Sequence, residues 1–324
     1  MRRVLLSLNL FVWLGLLALV VPSLRTATAK PAPTRVALVV PSSVSTPGAG
    51  GPVAFDRDFP DPTVITAGRI YYAFATHTPW EVPGHVFPIL ESRDLKSWSY
   101  AADVFSAPPA WGRGDWWAPA VVARGETYFL YYSGMSPSGM HCLAVATATL
   151  PAGPYTDHGP IACQDGTAAA GYIDAWPLIA DGHAYLYFSV DGPTHHSISV
   201  LPLRDDMLGV AGPRVELFGV SQPWEAAGTA TVEGPTVFAW GSRYVVLYSG
   251  GSWRGDTYAM GYAIGTSPLG PFVKGGAPFL RSGGSLVGPG GGSFFRDLAG
   301  RPWLAYHAWS GGGRVLNLTP LTIR

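Results

Sequence analysis

The sequence predicts an all-β protein: a five-bladed β-propeller that forms a single domain after an N-terminal signal peptide. Three observations support this prediction: a composition rich in turn and aromatic residues, a phrase that recurs five times, and acids at one place in three of the repeats. The chain has 324 residues, including 41 Gly and 30 Pro, and 13% of the residues are aromatic. Abundant turn residues combined with aromatics favour many short β-strands.

The charge balance excludes one class of partner. Only 13% of the residues are charged, and Lys plus Arg and Asp plus Glu number 21 each. Nucleic-acid binding depends on a basic surface field, which this balance does not supply, so we expect no nucleic-acid partner. The 12 Trp, 15 Tyr and 14 Phe can bury a large core and exclude a disordered chain.

The first 29 residues have the pattern of a signal peptide. Arg2 and Arg3 precede an uncharged, mostly apolar stretch over residues 4–21, and residues 27–29 offer an A-x-A cleavage site. An uncleaved anchor over residues 4–21 is the alternative, because its 18 residues reach the lower limit of a membrane span. Either way, the body of the protein is expected to be secreted or extracytoplasmic, with no further membrane contact. Residues 30–52, rich in Pro, Ser, Thr and Gly, are expected to form a linker.

The chain has two cysteines, Cys142 and Cys163. Two thiols cannot make a four-ligand zinc site. An exported compartment favours oxidation, and the Pro and Gly residues at 151–154 must turn the segment between the cysteines. We therefore expect a disulfide across a hairpin, with two buried free thiols as the alternative.

A phrase of Gly, two variable residues and an aromatic recurs five times. Its glycines are spaced by 57, 57, 59 and 59 residues, at Gly68, Gly125, Gly182, Gly241 and Gly300. A short apolar run precedes each glycine and alternating aromatics follow it. This pattern is typical of a β-hairpin that turns at glycine, where a positive φ is free of strain.

The repeat length predicts the architecture. Each unit of just under sixty residues can form a four-stranded antiparallel sheet, and five units in a ring form a propeller over residues 53–324. A strand near residues 314–322 is expected to close the ring against the N-terminal segment. A β-sandwich is the alternative, but a sandwich would not repeat five times in this register.

Three of the five repeats carry an acid at the start of the first strand. These acids lie seven or eight residues before the turn glycine and are Asp61, Asp174 and Glu233, while Ala118 and Gly292 take the matching places in the other two repeats. The innermost strand of every blade begins at the mouth of the central channel, so the three carboxylates are predicted to converge there. The alternative is three solvated acids at strand ends, and their shared register argues against such a coincidence. Holding three like charges together also costs stability, which a fold does not accept without a function.

Tryptophans accompany the acids. Trp117 and Trp176 neighbour the predicted mouth, and Trp80 follows the first hairpin. Each Trp alone could belong to the core, but aromatics beside acids suit a carbohydrate, whose C–H faces pack on rings while its hydroxyls bond to carboxylates. Two carboxylates flanking a glycosidic bond suffice for hydrolysis, because one protonates the leaving oxygen and the other activates water or attacks directly. We therefore expect these three tryptophans to bind substrate.

The five predicted mouths read FPDPTVI, WAPAVV, IDAWPLI, VEGPTVF and GPGGGSFF. In this order they resemble the blade motifs of glycoside hydrolase family 43, which are close variants of PDPSVI, WAPDV, IDPS, EGP and GHGS. The resemblance runs from about Phe55 to the end of the chain. It implies an inverting hydrolase of polysaccharides that contain arabinose or xylose. It also implies roles: Asp61 matches the general base, Glu233 the general acid, and Asp174 the acid that tunes and orients the proton donor.

The sequence departs from the family pattern at two places. Gly291 stands where the family usually has a channel histidine that often helps to hold a calcium ion, and Ala175-Trp176 follow Asp174 where the family has Pro-Ser. Because Gly291 offers no ligand, we predict no cofactor and no metal site, and calcium in the channel is the alternative.

These inferences combine into one expected function. We expect an exported, monomeric, inverting glycosidase that cleaves arabinofuranosyl linkages of arabinan type in polysaccharides or oligosaccharides. A β-xylosidase is the alternative within the family, because the same acids serve both sugars, and a propeller that only binds sugar is the alternative in another class. Inversion predicts that the carboxyl groups of Asp61 and Glu233 lie roughly 6.5–9.5 Å apart, with room for a water molecule.

Overall fold

The computed structural model describes residues 43–46, 51–80, 85–164, 171–193 and 195–324. These residues form five antiparallel sheets of four or five strands, one two-stranded sheet and a single short 3-10 helix at Pro223–Ala226. The predicted all-β class and the five blades are confirmed. The predicted signal peptide and most of the predicted linker lie outside the described residues. Among the described residues, no helix combines the length and the apolar character that crossing a membrane requires.

Two strands, β1 (Val44–Ser45) and β2 (Val53–Asp58), precede the first blade. Blade I consists of β3 (Thr63–Ala67), β4 (Ile70–Phe74), β5 (Pro88–Ser92) and β6 (Ser99–Asp103). Blade II consists of β7 (Trp117–Arg124), β8 (Thr127–Met135), β9 (His141–Ala148) and β10 (Thr156–Cys163). Blade III consists of β11 (Gly171–Ala180), β12 (His183–Asp191), β13 (His196–Pro202) and β14 (Val215–Gly219).

Blades IV and V complete the ring. Blade IV consists of β15 (Val232–Trp240), β16 (Arg243–Gly250), β17 (Ala259–Gly265), β18 (Phe272–Lys274) and β19 (Leu280–Arg281). Blade V contains β20 (Gly290–Arg296), β21 (Pro302–Ser310) and β22 (Gly313–Pro320), and β23 (Thr322–Ile323) follows it. The first strand of every blade contacts the first strand of the next blade, and β20 contacts β3. The five first strands therefore surround the central channel.

The recurring glycines form the hairpin between the first and second strands of each blade. Their φ angles lie between 59° and 81°, in the left-handed region that glycine adopts without strain. The second strands that follow are sandwiched between neighbouring blades. On β8, for example, Tyr132 packs towards Phe87 of blade I, whereas Tyr131 packs with Leu186 of blade III, and all four side chains are fully buried. The aromatic residues after each glycine thus form the core between blades.

Residues from the two ends of the described chain close the ring. The N-terminal strand β2 pairs with β22 as the outermost strand of blade V, and β1 pairs with β23. The predicted closure near residues 314–322 is confirmed. Hydrogen bonds between β2 and β22 hold the ring closed, and the buried clusters between blades add hydrophobic stabilisation.

The predicted disulfide is present. Cys142 on β9 and Cys163 on β10 are bonded, with Cα atoms 4.3 Å apart. They face each other in the antiparallel register of blade II, at the end of the blade where β7 begins. The bond joins the two outer strands of that blade.

Candidate active site

A cavity of about 490 Å³ lies at the end of the channel where the first strands begin. Asp61, Asp174 and Glu233 all line it, as predicted from the repeat register. Trp117 and Trp176 line it too. The three acids come from blades I, III and IV. They are far apart in the sequence, and the closed ring of blades brings them together.

A ring of backbone hydrogen bonds surrounds this cavity. One residue near the start of each first strand has φ between 46° and 60°, and the five are Asp61, Ala118, Asp174, Gly234 and Gly291. Each of their amides donates to a side chain from the second-strand region of the preceding blade. The acceptors are His307 Nδ1 (3.1 Å), Thr76 Oγ1 (2.9 Å), Ser133 Oγ (3.0 Å), Ser189 Oγ (3.0 Å) and Ser249 Oγ (2.9 Å), in the same order. We call these five bonds the mouth ring.

The mouth ring corrects the register deduced from the repeats. The positions equivalent to Asp61 and Asp174 are Gly234 and Gly291, whereas counting from the turn glycines had matched Glu233 and Gly292. The turn glycine does not hold the same place in every hairpin: Gly241 directly follows β15, whereas Gly182 is the second residue after β11. A count of eight therefore reaches Asp174 in blade III but overshoots Gly234 by one residue in blade IV. Glu233 therefore precedes the equivalent position, Gly234, by one residue, and its carboxylate nevertheless lines the cavity.

Asp61 is held in its ionised form. Thr76 Oγ1 donates to Asp61 Oδ2 at 2.6 Å, and Arg314 Nη1 lies 3.7 Å from Asp61 Oδ1. Burial alone would raise the pKa of Asp61, but the Arg314 guanidinium and the hydrogen bonds hold this pKa well below its usual range. The buried His307 is neutral because burial lowers its pKa. Its Nδ1 accepts a hydrogen bond from the Asp61 amide.

Asp174 and Glu233 experience the opposite effect. Burial raises the pKa of both carboxyls, and the negative charge of Asp61 adds to the effect at Asp174, as that of Asp174 does at Glu233. Asp174 Oδ2 accepts hydrogen bonds from Ser189 Oγ (2.9 Å) and from the Gly234 amide (3.0 Å), whereas Glu233 Oε1 accepts one from Tyr258 (2.7 Å). Two donors stabilise a negative charge better than one, so Asp174 ionises first and Glu233 retains the proton.

The tryptophans occupy two different places. The Trp117 ring stacks on His141 with centroids 4.4 Å apart, and Trp176 donates from Nε1 to the Val237 carbonyl (2.9 Å). Both are thereby fixed as walls of the cavity. Trp80, predicted to bind substrate, is not among the residues that line the cavity. After the first hairpin the chain carries it to β2, where it packs on Phe55 and donates to the Asp58 carbonyl.

Comparison with known proteins identifies this arrangement. Residues 52–324 match the model of glycosyl hydrolases family 43. The chain belongs to this family. Arabinan endo-1,5-alpha-L-arabinosidase A of Aspergillus niger is 28% identical over 266 residues, which cover 75% of each chain. Among solved structures, an endo-1,4-beta-xylanase from Bacteroides thetaiotaomicron is 27% identical with a TM-score of 0.72, over 85% of this chain and 96% of that one.

Another solved structure supports the fold. An endo-arabinase from the same bacterium superposes with a TM-score of 0.69 at 22% identity, over 85% of this chain and 98% of that chain. Membership of family 43 makes the protein a glycoside hydrolase on a five-bladed propeller.

Some residues that line this cavity or contact Asp61 were not assigned a role from the sequence. His307 and Arg314 belong to the closing YHAW…RVLNLT segment, whose resemblance to the family was recognised without a role for either side chain. Trp253 and Arg254 also line the cavity, and the Arg314 guanidinium lies over the Trp253 ring at 5.0 Å from its centroid. These residues lie outside the first strands, where the repeat pattern located the acids.

The residues around Gly291 do not fit a calcium site of the family type. A Cβ at Gly291 would lie 2.5 Å from Asp61 Oδ1 and 2.6 Å from His307 Cε1, so this backbone leaves no room for a side-chain ligand. In the part of the chain that the structure describes, no group of three or more His, Cys, Asp or Glu side chains could hold a metal ion. Arg314 supplies the positive charge beside Asp61 instead.

Proposed function

We propose that this protein hydrolyses arabinan with inversion of configuration, with Asp61 as general base and Glu233 as general acid. One observation carries the proposal: two carboxyls that line the same cavity have pKa values shifted in opposite directions, so that one is ionised and the other protonated. Pairs of acids separated in this way are the requirement for glycoside hydrolysis near neutral pH.

The proposed reaction is a single displacement. Asp61 takes a proton from a water molecule while the water oxygen forms a bond to the anomeric carbon on one face of the sugar. The bond from that carbon to the leaving oxygen breaks on the other face, and Glu233 gives its proton to that oxygen. Asp174, which ionises before Glu233, raises the pKa of Glu233 through its charge and orients it. Proton exchange with solvent then restores both carboxyls.

The relatives support the choice of sugar. The curated relative from Aspergillus niger is named for arabinan, and its similarity extends over three quarters of each chain. Xylan is the second candidate, because the solved structure named as an endo-1,4-beta-xylanase has 27% identity and a TM-score of 0.72. The same acid and base serve either pentose, so the walls of the cavity decide between them.

A substrate panel tests the proposal. The purified protein is incubated with linear arabinan, xylan and the nitrophenyl glycosides of α-L-arabinofuranose and β-D-xylose, with the Asp61→Asn variant as control. We expect release of sugar from arabinan and none from the variant. Short oligosaccharides as products would indicate internal cleavage, and arabinose alone would indicate terminal cleavage. Cleavage of xylan only, or equal rates for the variant, would overturn the proposal.

We also propose that the enzyme is exported and monomeric. The disulfide and the signal-peptide pattern support export, and closure of the ring by strands of one chain supports a monomer. Activity in the culture medium and one species at about the chain mass in native mass spectrometry are expected. A cytoplasmic enzyme, or a dimer, would contradict the respective part.

A further inference from the structure

The three acids of the cavity are not held in the same way. In blades I and III a hydroxyl donates directly to the acid of its own blade: Thr76 to Asp61 at 2.6 Å and Ser189 to Asp174 at 2.9 Å. In both pairs the hydroxyl lies 15 residues after the acid. The same hydroxyl also accepts the amide of the next blade in the mouth ring. Each hydroxyl thus fixes a carboxylate and joins two blades.

Blade IV breaks this pattern. Ser249 lies 15 residues after Gly234 and takes the equivalent place in the mouth ring, but Gly234 has no carboxylate for its hydroxyl to hold. The acid of blade IV is Glu233, one residue earlier. Ser249 instead lies close enough to Tyr258 to lower its pKa, and the Tyr258 hydroxyl donates to Glu233 Oε1 at 2.7 Å. Tyr258 therefore bridges the gap that the shifted position of the acid creates.

We propose that Tyr258 is the positioning residue for the proton donor Glu233, occupying its Oε1 so that Oε2 carries the proton to the leaving group. Tyr258 is 2% exposed, and its ring stacks on His307 with centroids 5.8 Å apart and planes at 13°. Gly290 packs against one edge of the Tyr258 ring, so closely that a Cβ at this position would overlap the ring atoms. The ring has no room to turn away, so the hydroxyl stays on Glu233.

The chemistry of Tyr258 suits this task. Burial and the neighbouring carboxylates raise its pKa well above the usual value, so the hydroxyl remains a donor at any pH at which the enzyme works. A donated hydrogen bond stabilises the ionised form of Glu233 and opposes the burial and the charges of Asp174, Asp61 and Asp191, which raise its pKa. Tyr258 therefore also limits how tightly Glu233 holds its proton.

The Tyr258→Phe variant tests the proposal, which rests on the proposed role of Glu233. On the natural polysaccharide we expect kcat to fall by about ten- to a hundred-fold with KM nearly unchanged, because a misplaced acid loses part of its contribution. On a dinitrophenyl glycoside, whose leaving group needs no proton, the loss is expected to stay within about three-fold. The alkaline limb of the pH profile is expected to move up by about one pH unit, because the ionised form loses a donor.

Tyr248→Phe is the matched control. Tyr248 lies in the same blade, is fully buried and donates to Glu225 Oε1 at the same distance of 2.7 Å, but its partner Glu225, unlike Glu233, does not line the cavity. Both variants remove a buried Tyr–Glu hydrogen bond and are expected to lower the melting temperature similarly. Only Tyr258→Phe is expected to change the pH profile and the dependence on leaving group. Equal kinetic effects of the two variants, or equal losses on both substrates, would overturn the proposal.

A measurement without turnover separates this proposal from the proposed function. The pKa of Glu233 can be followed by carbon NMR of labelled glutamate, with Glu233→Gln to assign the signal. Tyr258→Phe is expected to raise this pKa even if the wild-type enzyme cleaves none of the sugars tested. If Tyr258→Phe does not fold, Ser249→Ala is expected to shift the pKa in the same direction by less. An unchanged pKa in the folded variant would overturn the proposal.

Discussion

Asp61 and Glu233 line one cavity and yet experience opposite electrostatic fields. Arg314 and Thr76 surround Asp61 with a positive charge and a donor, whereas Glu233 has one donor and three neighbouring carboxylates. Both groups are carboxylic acids with similar intrinsic pKa values. Their environment alone therefore decides which carboxyl is ionised and which is protonated, and single substitutions around them have predictable signs.

The two acids should respond differently to loss of their charge. Glu233→Gln is expected to lower activity on polysaccharide by about 10²- to 10⁴-fold and to spare substrates with an activated leaving group, because these need no proton. Asp61→Asn should lose both activities, because water must be activated whichever group leaves. Rates on the two substrates and proton NMR of the first-formed sugar check this. Retention of configuration, or a near-normal Asp61→Asn enzyme, would contradict the assignment.

The pH profile should be bell-shaped with widely separated limbs. Activity falls at high pH as Glu233 loses its proton, and the raised pKa of about 8 places this limb on the alkaline side of neutrality. Activity falls at low pH as Asp61 gains a proton. Arg314→Gln removes the positive charge that lowers the pKa of Asp61, so its acid limb should move to higher pH. An unmoved acid limb would show that Arg314 does not control the base.

The elements differ in how far the sequence predicted them. The hairpins, the five blades and the disulfide follow from local patterns: turn glycines, apolar alternation and cysteines on facing strands. Glu233 was found, but its register was displaced by one residue, because the glycine from which the count starts does not hold the same place in every turn. Trp80 was misplaced, because the path of a loop after a hairpin is decided by packing rather than by periodicity. Tyr258 and Arg314 were missed, because only tertiary structure brings them to the acids.

A disulfide joins the two outer strands of blade II. Cys142 and Cys163 are 21 residues apart, so the disulfide constrains the unfolded chain by an amount worth about 3 kcal/mol. Replacing both cysteines by serine is expected to lower the free energy of unfolding by about this amount in urea titrations. The wild-type protein with and without reductant gives the matching comparison. Equal stability of all forms would show that blade II holds without the bond.

On the scale of the whole molecule, closure is the step on which all five blades depend. β2 comes from the N-terminal side and completes blade V, so neither end of the propeller is dispensable. A chain over residues 59–324 lacks β2 and is expected not to fold, whereas a chain over residues 43–324 keeps β1 and β2 and should melt cooperatively. Truncation after Tyr306 should also abolish soluble folding. Calorimetry checks all three, and a stable truncated chain would contradict closure.

The channel should work without a divalent cation. Gly291 leaves no space for a side-chain ligand, and Arg314 already supplies the positive charge next to Asp61. Treatment with EDTA is expected to leave both activity and melting temperature unchanged. The measurement is made on extensively dialysed enzyme, with calcium added back as the control. A loss that calcium restores would show that an ion occupies the channel through backbone and water ligands.

The order of synthesis along the chain decides when the mouth ring can be completed. Its last bond joins the amide of Asp61, in blade I, to His307, and the charge that keeps Asp61 ionised comes from Arg314. Both partners lie in blade V and are synthesised long after Asp61. His307 follows Asp61 by 246 residues. A nascent chain can carry all three acids and still lack a functional base. If Asp61 is the base as proposed, a chain that terminates before His307 and Arg314 should be inert rather than partly active.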